Sequence, residues 1–141
     1  MTLVIITPER EITIPEVRSL IFECPDGKRG VLPGHARALF ELPIGVLYCR
    51  KENGEELYFA LGGGVAEVTP EKVTVLVHSA EEAHEIDVAR AQEAARRAEI
   101  RLREKAANVD FARAQMALLR SLARLRAAAH LSRESKKATR G

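Results

Sequence analysis

The chain changes its repeat at "EIDVARA", residues 85–91, and that change commits it to two unlike halves. Ahead of it, short apolar runs stop at turn residues: "LVII" (3–6) at Thr7-Pro8, "ITI" (12–14) at Pro15, "VRSLIFE" (17–23) at Cys24-Pro25-Asp26-Gly27. "GVL" (30–32) stops at Pro33-Gly34, "ALFEL" (38–42) at Pro43, and "GVLYCR" (45–50) runs toward Glu52-Asn53-Gly54. Asn-Gly signals a tight hairpin, because both central residues of that turn need positive φ. "ELYFALG" (56–62), "VAEV" (65–68) and "VTVLV" (73–77) complete the series. Such spacing predicts an antiparallel β-sandwich or barrel of about ten strands over residues 1–84.

From Ile86 the period becomes helical. Asp87 is placed to cap a helix start, and Ala91, Ala94, Ala95, Ala98 and Leu102 then share one face. Asn108 interrupts the pattern and Asp110 is placed to cap a second helix, with Phe111, Ala114, Leu118, Leu122, Leu125 and Ala129 as its stripe. The joint "ANVD" (107–110) predicts an antiparallel helical hairpin over residues 85–130, followed by a basic tail, 131–141, expected to be flexible. The fold class is α+β, strands first and helices after. Fourteen of the 45 residues in 86–130 are Ala, so the helices approach closely yet bury little apolar area. A hairpin held that weakly is suited to docking and detaching.

Charge divides at the same place. Residues 1–85 carry 8 Lys and Arg against 14 Asp and Glu, whereas 86–130 carry 10 against 5 and 131–141 carry 4 against 1. The back half therefore calls for an acidic partner: another protein, a nucleotide, or the front half itself. Nucleic acid fits poorly, since stacking aromatics are scarce and the acidic front would repel it. No apolar run approaches the ~20 residues that cross a bilayer. Cys24 and Cys49 show no CxxC spacing, and His35, His78, His84 and His130 show no paired metal spacing, so neither a disulfide framework nor a metal site is expected. "GGG" (62–64) lacks the Lys-Ser/Thr of a phosphate loop, and no nucleophile motif is present, so no catalytic residues are assigned.

The arginines carry more. Arg113, Arg120 and Arg124 stand on adjoining turns of the second helix, and Arg90 follows Asp87 by three on the first. If the helices fold together, Arg90, Arg120 and Arg124 converge with Glu81 and Asp87. Guanidinium forks suit phosphates and carboxylates suit hydroxyl or amino groups; the plain alternative is a solvated face of ion pairs.

"ITPERE" (6–11), "GVLPGHA" (30–36), "GGVAEV" (63–68), "KVTVLVHSAE" (72–81), "IDVARAQEAARRAE" (86–99) and "DFARAQMALLRSLARL" (110–125) resemble, in order and spacing, the epsilon subunit of bacterial F-type ATP synthases, called delta in mitochondria. The resemblance implies a non-catalytic rotor component, peripheral at the cytoplasmic face of the membrane and held there only through its complex. It implies a sandwich that binds the gamma subunit and the c-ring, and a hairpin that extends toward the alpha/beta catalytic subunits to inhibit ATP hydrolysis. Interface residues implied are Lys28, Arg29 and His35 on the sandwich and Arg113, Arg120 and Arg124 on the second helix. "IDVARA" also resembles the family's nucleotide-sensing motif. Matched residue by residue, Glu81, Ile86, Asp87, Arg90, Ala91, Arg120 and Arg124 would hold ATP as a regulatory ligand, with no cofactor required. The resemblance extends to the equivalent subunit of a sodium-driven or alternative-operon rotary ATPase. The reading from a different class is a nucleic-acid-binding helical hairpin. Lys28, in "PDGKRG" (25–30), stands where relatives often carry an acid, and Val65 where Phe is common.

Overall fold

The computed structural model describes residues 1–104 and 108–140, with side chains over 1–104 and 110–131. Eight strands come first: β1 Thr2–Ile6, β2 Glu11–Ile14, β3 Val17–Cys24, β4 Gly27–Val31, β5 Ala38–Lys51, β6 Glu56–Val68, β7 Lys72–Val77 and β8 Ala80–Glu82. A 3-10 turn, Ala83–Glu85, leads into helices α1, Val88–Arg103, and α2, Asn108–Arg140.

The hydrogen-bonded order is β2-β1-β7-β6-β5-β3-β4, with β8 on β6. β5 and β6 are each continuous where the sequence suggested two strands. Their ladder passes from Leu42↔Gly64 to Ile44↔Gly62, and between those pairs Pro43 removes a donor while Gly63 takes φ +89°. The two strands bend there, so their halves serve different layers. Residues 38–42 and 64–68 sit with β7, β1 and β2, while 47–51 and 57–61 sit with β3, β4 and β8. Counted by layer, five strands face five, which reconciles eight strands with the expected number.

One pairing differs from the all-antiparallel expectation. β1 runs parallel to β7, Leu3↔Val73 through Ile6↔Leu76. Local alternation specifies which face of β1 is apolar, but its partner lies some seventy residues away in the chain, and direction is decided by packing. The core between the layers is aliphatic, as the composition implies: Leu3, Ile5, Leu20, Leu47, Val73 and Val75 are fully buried around Phe22 and Phe59.

Cys49 belongs to this core, and burial pushes its thiol up to about 11; Cys24, partly exposed at the end of β3, is also free. Native protein is expected to react with a thiol reagent at Cys24 only, and at both cysteines after denaturation, because a protonated, buried thiol is inert. Two fast-reacting thiols in the native state would contradict the burial. The sign of the pH effect follows: the folded thiol ionises later than the unfolded one, so Cys49 lowers stability as pH rises above 9.0, and the loss levels off past about 11.

Asp87 caps α1 as expected, its carboxylate accepting the Arg90 backbone N–H at 3.1 Å. Ala91, Ala95 and Ala98 are buried. The second helix departs in part from its expected stripe: Ala114 is buried as expected, but Ser121, Ala123 and Ala127 are buried as well, whereas Phe111, Leu122 and Ala129 stay exposed and Leu118 and Leu125 are half-buried. α2 touches two neighbours, α1 on one side and the sandwich on the other, so small residues take both close contacts and the leucines lie at the edges. Asp110 sits inside the first turn of α2, not at its cap position. Residues 105–107, which include the start of the "ANVD" joint, lie outside the described residues. The backbone of 131–140, expected as a separate tail, continues α2 to Arg140.

The hairpin meets the sandwich through a second, small apolar cluster: Ala123 and Ala127 of α2 against Val46, Ala60, Ala83 and Ile86, flanked by Ile44, Tyr58, Ala128 and Leu131. Polar ties reinforce it. Arg124 pairs with Glu81 at 2.7 Å and Arg126 with Glu23 at 2.7 Å, and the His130 ring stacks on Tyr58 with centroids 4.0 Å apart.

Candidate functional site

Where β8, the 3-10 turn and both helices meet, Glu81, Glu85, Asp87, Arg90, Ala91, Glu93, Ala94, Arg97 and Arg124 line a cleft of about 490 Å³. Each contributor is placed by local structure. Glu81 is carried by β8, which pairs with β6 through Ala60↔Glu81. Asp87 is fixed by its capping bond. Arg90 and Arg97 are seven apart on α1, hence two turns apart on one face, about 10 Å along the axis.

The structure brings most of the sequence-derived set together. Glu81, Asp87, Arg90, Ala91 and Arg124 are in the cleft wall. Arg120 lies beside it, in a small hollow that shares Glu81 and Arg124 with the cleft and reaches Gly62 and Ser79. Ile86 does not line the cleft; only 9% exposed, it packs into the hairpin–sandwich cluster. Glu85, Glu93 and Arg97 are additions of the structure, and Ala94 was expected only on the small-residue face of the first helix. For Arg97 a signal existed, since it repeats the face of Arg90; for Glu85 there was none.

The charges are unevenly satisfied. Arg124 donates to Glu81, and Glu85 is paired with Arg10 at 3.0 Å from outside the cleft. Arg90, Arg97 and Arg120 have no side-chain hydrogen bond or ion pair among the described residues. Arg90 and Arg97 in the cleft wall and Arg120 in the adjoining hollow thus keep their guanidinium donors free among the described residues, and forks of this kind suit an anion with several oxygens.

The interface set is scattered. Lys28 and Arg29 are exposed on β4, with Arg29 lying 4.9 Å over the Phe40 ring. His35 is half-buried in the turn after β4, its Nδ1 2.7 Å from the Ala36 carbonyl oxygen. Arg113 is exposed near the start of α2, away from the cleft. Lys28 instead edges a second groove of about 710 Å³ with Ile21, Tyr48, Tyr58, Arg126 and His130.

A sandwich with a helical hairpin folded on its flank, and a cleft of guanidiniums and carboxylates where the two meet, defines a two-part β-then-α module. Residues 1–83 match the family domain described as "ATP synthase, Delta/Epsilon chain, beta-sandwich domain", and residues 84–129 match "ATP synthase, Delta/Epsilon chain, long alpha-helix domain". The chain belongs to the ATP synthase delta/epsilon chain family. It is 46% identical over 99 residues to the ATP synthase epsilon chain of Koribacter versatilis, covering 70% of this chain and 68% of that one. The epsilon chains of Pelotomaculum thermopropionicum (45% over 98 residues, 70% and 72% covered) and Bacillus cereus strain Q1 (46% over 100 residues, 71% and 74% covered) are similarly close. Among solved structures, a chain in the cryo-EM structure of the Euglena gracilis mitochondrial ATP synthase, OSCP/F1/c-ring, superposes with a TM-score of 0.78 at 25% identity, over 91% of this chain and 80% of that one. A chain of the Tetrahymena thermophila mitochondrial ATP synthase central stalk and c-ring shares the fold, with a TM-score of 0.52 at 18% identity over 60% and 68%. This is an epsilon-type ATP synthase component, structural and regulatory and not catalytic. No described helix is long and apolar enough to cross a membrane.

Proposed function

We propose that this chain is a central-stalk rotor subunit that couples c-ring rotation to the catalytic head, and that its hairpin is an ATP-sensing brake on hydrolysis. The sandwich binds gamma and the c-ring. The hairpin, released from the sandwich, extends toward the alpha/beta subunits and inhibits. The assembly keeps the protein peripheral to the cytoplasmic face of the membrane. Family membership supports the rotor role, and the small, alanine-built seam under α2 supports a hairpin that leaves and returns.

One observation carries the sensing role: Arg90 and Arg97 in a cleft built from both helices and the linker to the sandwich, and Arg120 in the hollow beside it, have no side-chain partner among the described residues. A triphosphate would bridge α1 and α2 only while they lie together on β8, so ATP favours the docked state by its difference in affinity for the two states. Arg124, already fixed by Glu81, orients the site from the α2 side.

Calorimetric titration of the whole chain with ATP tests this. Saturable binding is expected, weakened about tenfold or more by Arg90→Ala or Arg97→Ala, since a charge-assisted hydrogen bond contributes about 1.5–3 kcal/mol. Unchanged affinity in both variants would remove the cleft as the site.

A further inference from the structure

We propose that Arg10, on the turn between β1 and β2, is a positioning residue for the nucleotide cleft: it neutralises Glu85 from behind and clamps the linker that carries Glu81. This rests on the reading of the cleft as the ATP site.

Arg10 is itself held. The Thr7 hydroxyl oxygen accepts the backbone N–H groups of Glu9 at 3.3 Å and Arg10 at 3.1 Å, and the Thr7 N–H donates to the Arg10 carbonyl oxygen at 2.9 Å. From that closed turn the guanidinium reaches two points of one segment. Its Nη2 donates to the Ala80 carbonyl oxygen at 2.6 Å, and its Nη1 lies 3.0 Å from Glu85 Oε2. Ala80 opens β8 and Glu85 closes the 3-10 turn, so Arg10 spans the whole stretch between sandwich and hairpin. A planar fork does this and a lysine would not.

The electrostatic consequence lies in the cleft. Its walls hold four carboxylates, Glu81, Glu85, Asp87 and Glu93, against three guanidiniums, Arg90, Arg97 and Arg124. Glu81 is matched by Arg124 within the cleft, and Asp87 accepts the Arg90 backbone N–H. The other two wall carboxylates are met from outside the walls, Glu93 loosely by Arg96 of its own helix at 3.9 Å and Glu85 closely by Arg10 of the sandwich at 3.0 Å. Without Arg10, Glu85 would face a polyphosphate as a bare like charge. The pair itself is well exposed, 39% and 46% by side chain, and such pairs stabilise a fold little. Arg10 therefore bears on ligand affinity far more than on folding.

The experiment is ATP titration of the full chain as wild type, Arg10→Ala, Glu85→Gln and the double variant, with thermal unfolding of each. Arg10→Ala is expected to weaken ATP about five- to tenfold and to lower Tm modestly through the lost Ala80 hydrogen bond, Arg10→Ala/Glu85→Gln to recover most of the affinity at the same lowered Tm, and the affinity deficit to shrink at high salt. Wild type that binds ATP, with Arg10→Ala binding equally well, overturns the role of Arg10 and leaves the cleft reading intact. A loss that Glu85→Gln does not restore overturns neutralisation as the cause. No binding by wild type overturns the cleft reading, and this inference with it.

Discussion

Gly64→Ala is expected to destabilise the sandwich by about 3 kcal/mol or more, the top of the range for overpacking. A Cβ at Gly64 would overlap the Leu76 carbonyl oxygen and come within 2.8 Å of the Val77 Cα. Both obstacles are backbone, and both belong to the β6–β7 ladder that pairs Gly64 with Val77. They cannot withdraw without breaking that ladder, unlike the far end of a side chain. The neighbouring glycines give an internal scale. At Gly62 the first obstacle is the Ser79 side chain, which can rotate, although the Ser79 backbone N stands at 3.1 Å. At Gly63 no neighbour is closer than 3.6 Å, but φ is +89°, which costs a side-chain-bearing residue about 1–2 kcal/mol. Denaturant unfolding should rank Gly64→Ala as the most damaging of the three. A wild-type midpoint for that variant would mean that β6 and β7 are not as closely apposed as described.

The second large effect concerns docking. Ala127→Asp is expected to release the hairpin while leaving the sandwich folded. Ala127 is fully buried in the cluster formed with Val46, Ala60, Ala83 and Ile86, and a carboxylate on one methylene cannot reach water from there. Burying it costs several kcal/mol, more than an alanine-built seam returns by area. The main core, from Leu3 to Ala80, shares no residue with that seam, so the sandwich should keep its melting transition. Limited trypsin digestion should then cut rapidly at the hairpin arginines, with a larger radius of gyration by small-angle scattering. Wild-type protection and dimensions would show that the seam does not hold the hairpin. If the cleft is the ATP site, the same variant should lose ATP binding, because α1 and α2 would no longer face β8 together.

Much of the cleft was legible because helical spacing is local. Asp87 caps, Arg90 projects one turn later, and Arg120 and Arg124 share a side of α2, all from a period of 3.6. Arg97 follows from the same period, two turns beyond Arg90. Ile86 was misplaced for a different reason: next to a cap residue, its side chain turns into the seam with Ala83 and Ala123, an orientation set by what lies beneath. Arg10 carried no signal, since its partner Glu85 is distant in sequence and adjacent only in the fold.

By itself the sequence determined the two halves, the turn chemistry, the two helices and the charge division, because each depends on neighbours within a few residues. Tertiary structure decided the rest. It joined four expected strands into the bent β5 and β6, where Pro43 meets Gly63, set β1 parallel to β7, and turned α2 so that alanines meet both its partners while Leu122 faces out. These outcomes depend on which surfaces meet across long separations, where the area buried and the clashes avoided are properties of the whole packing, not of any local run.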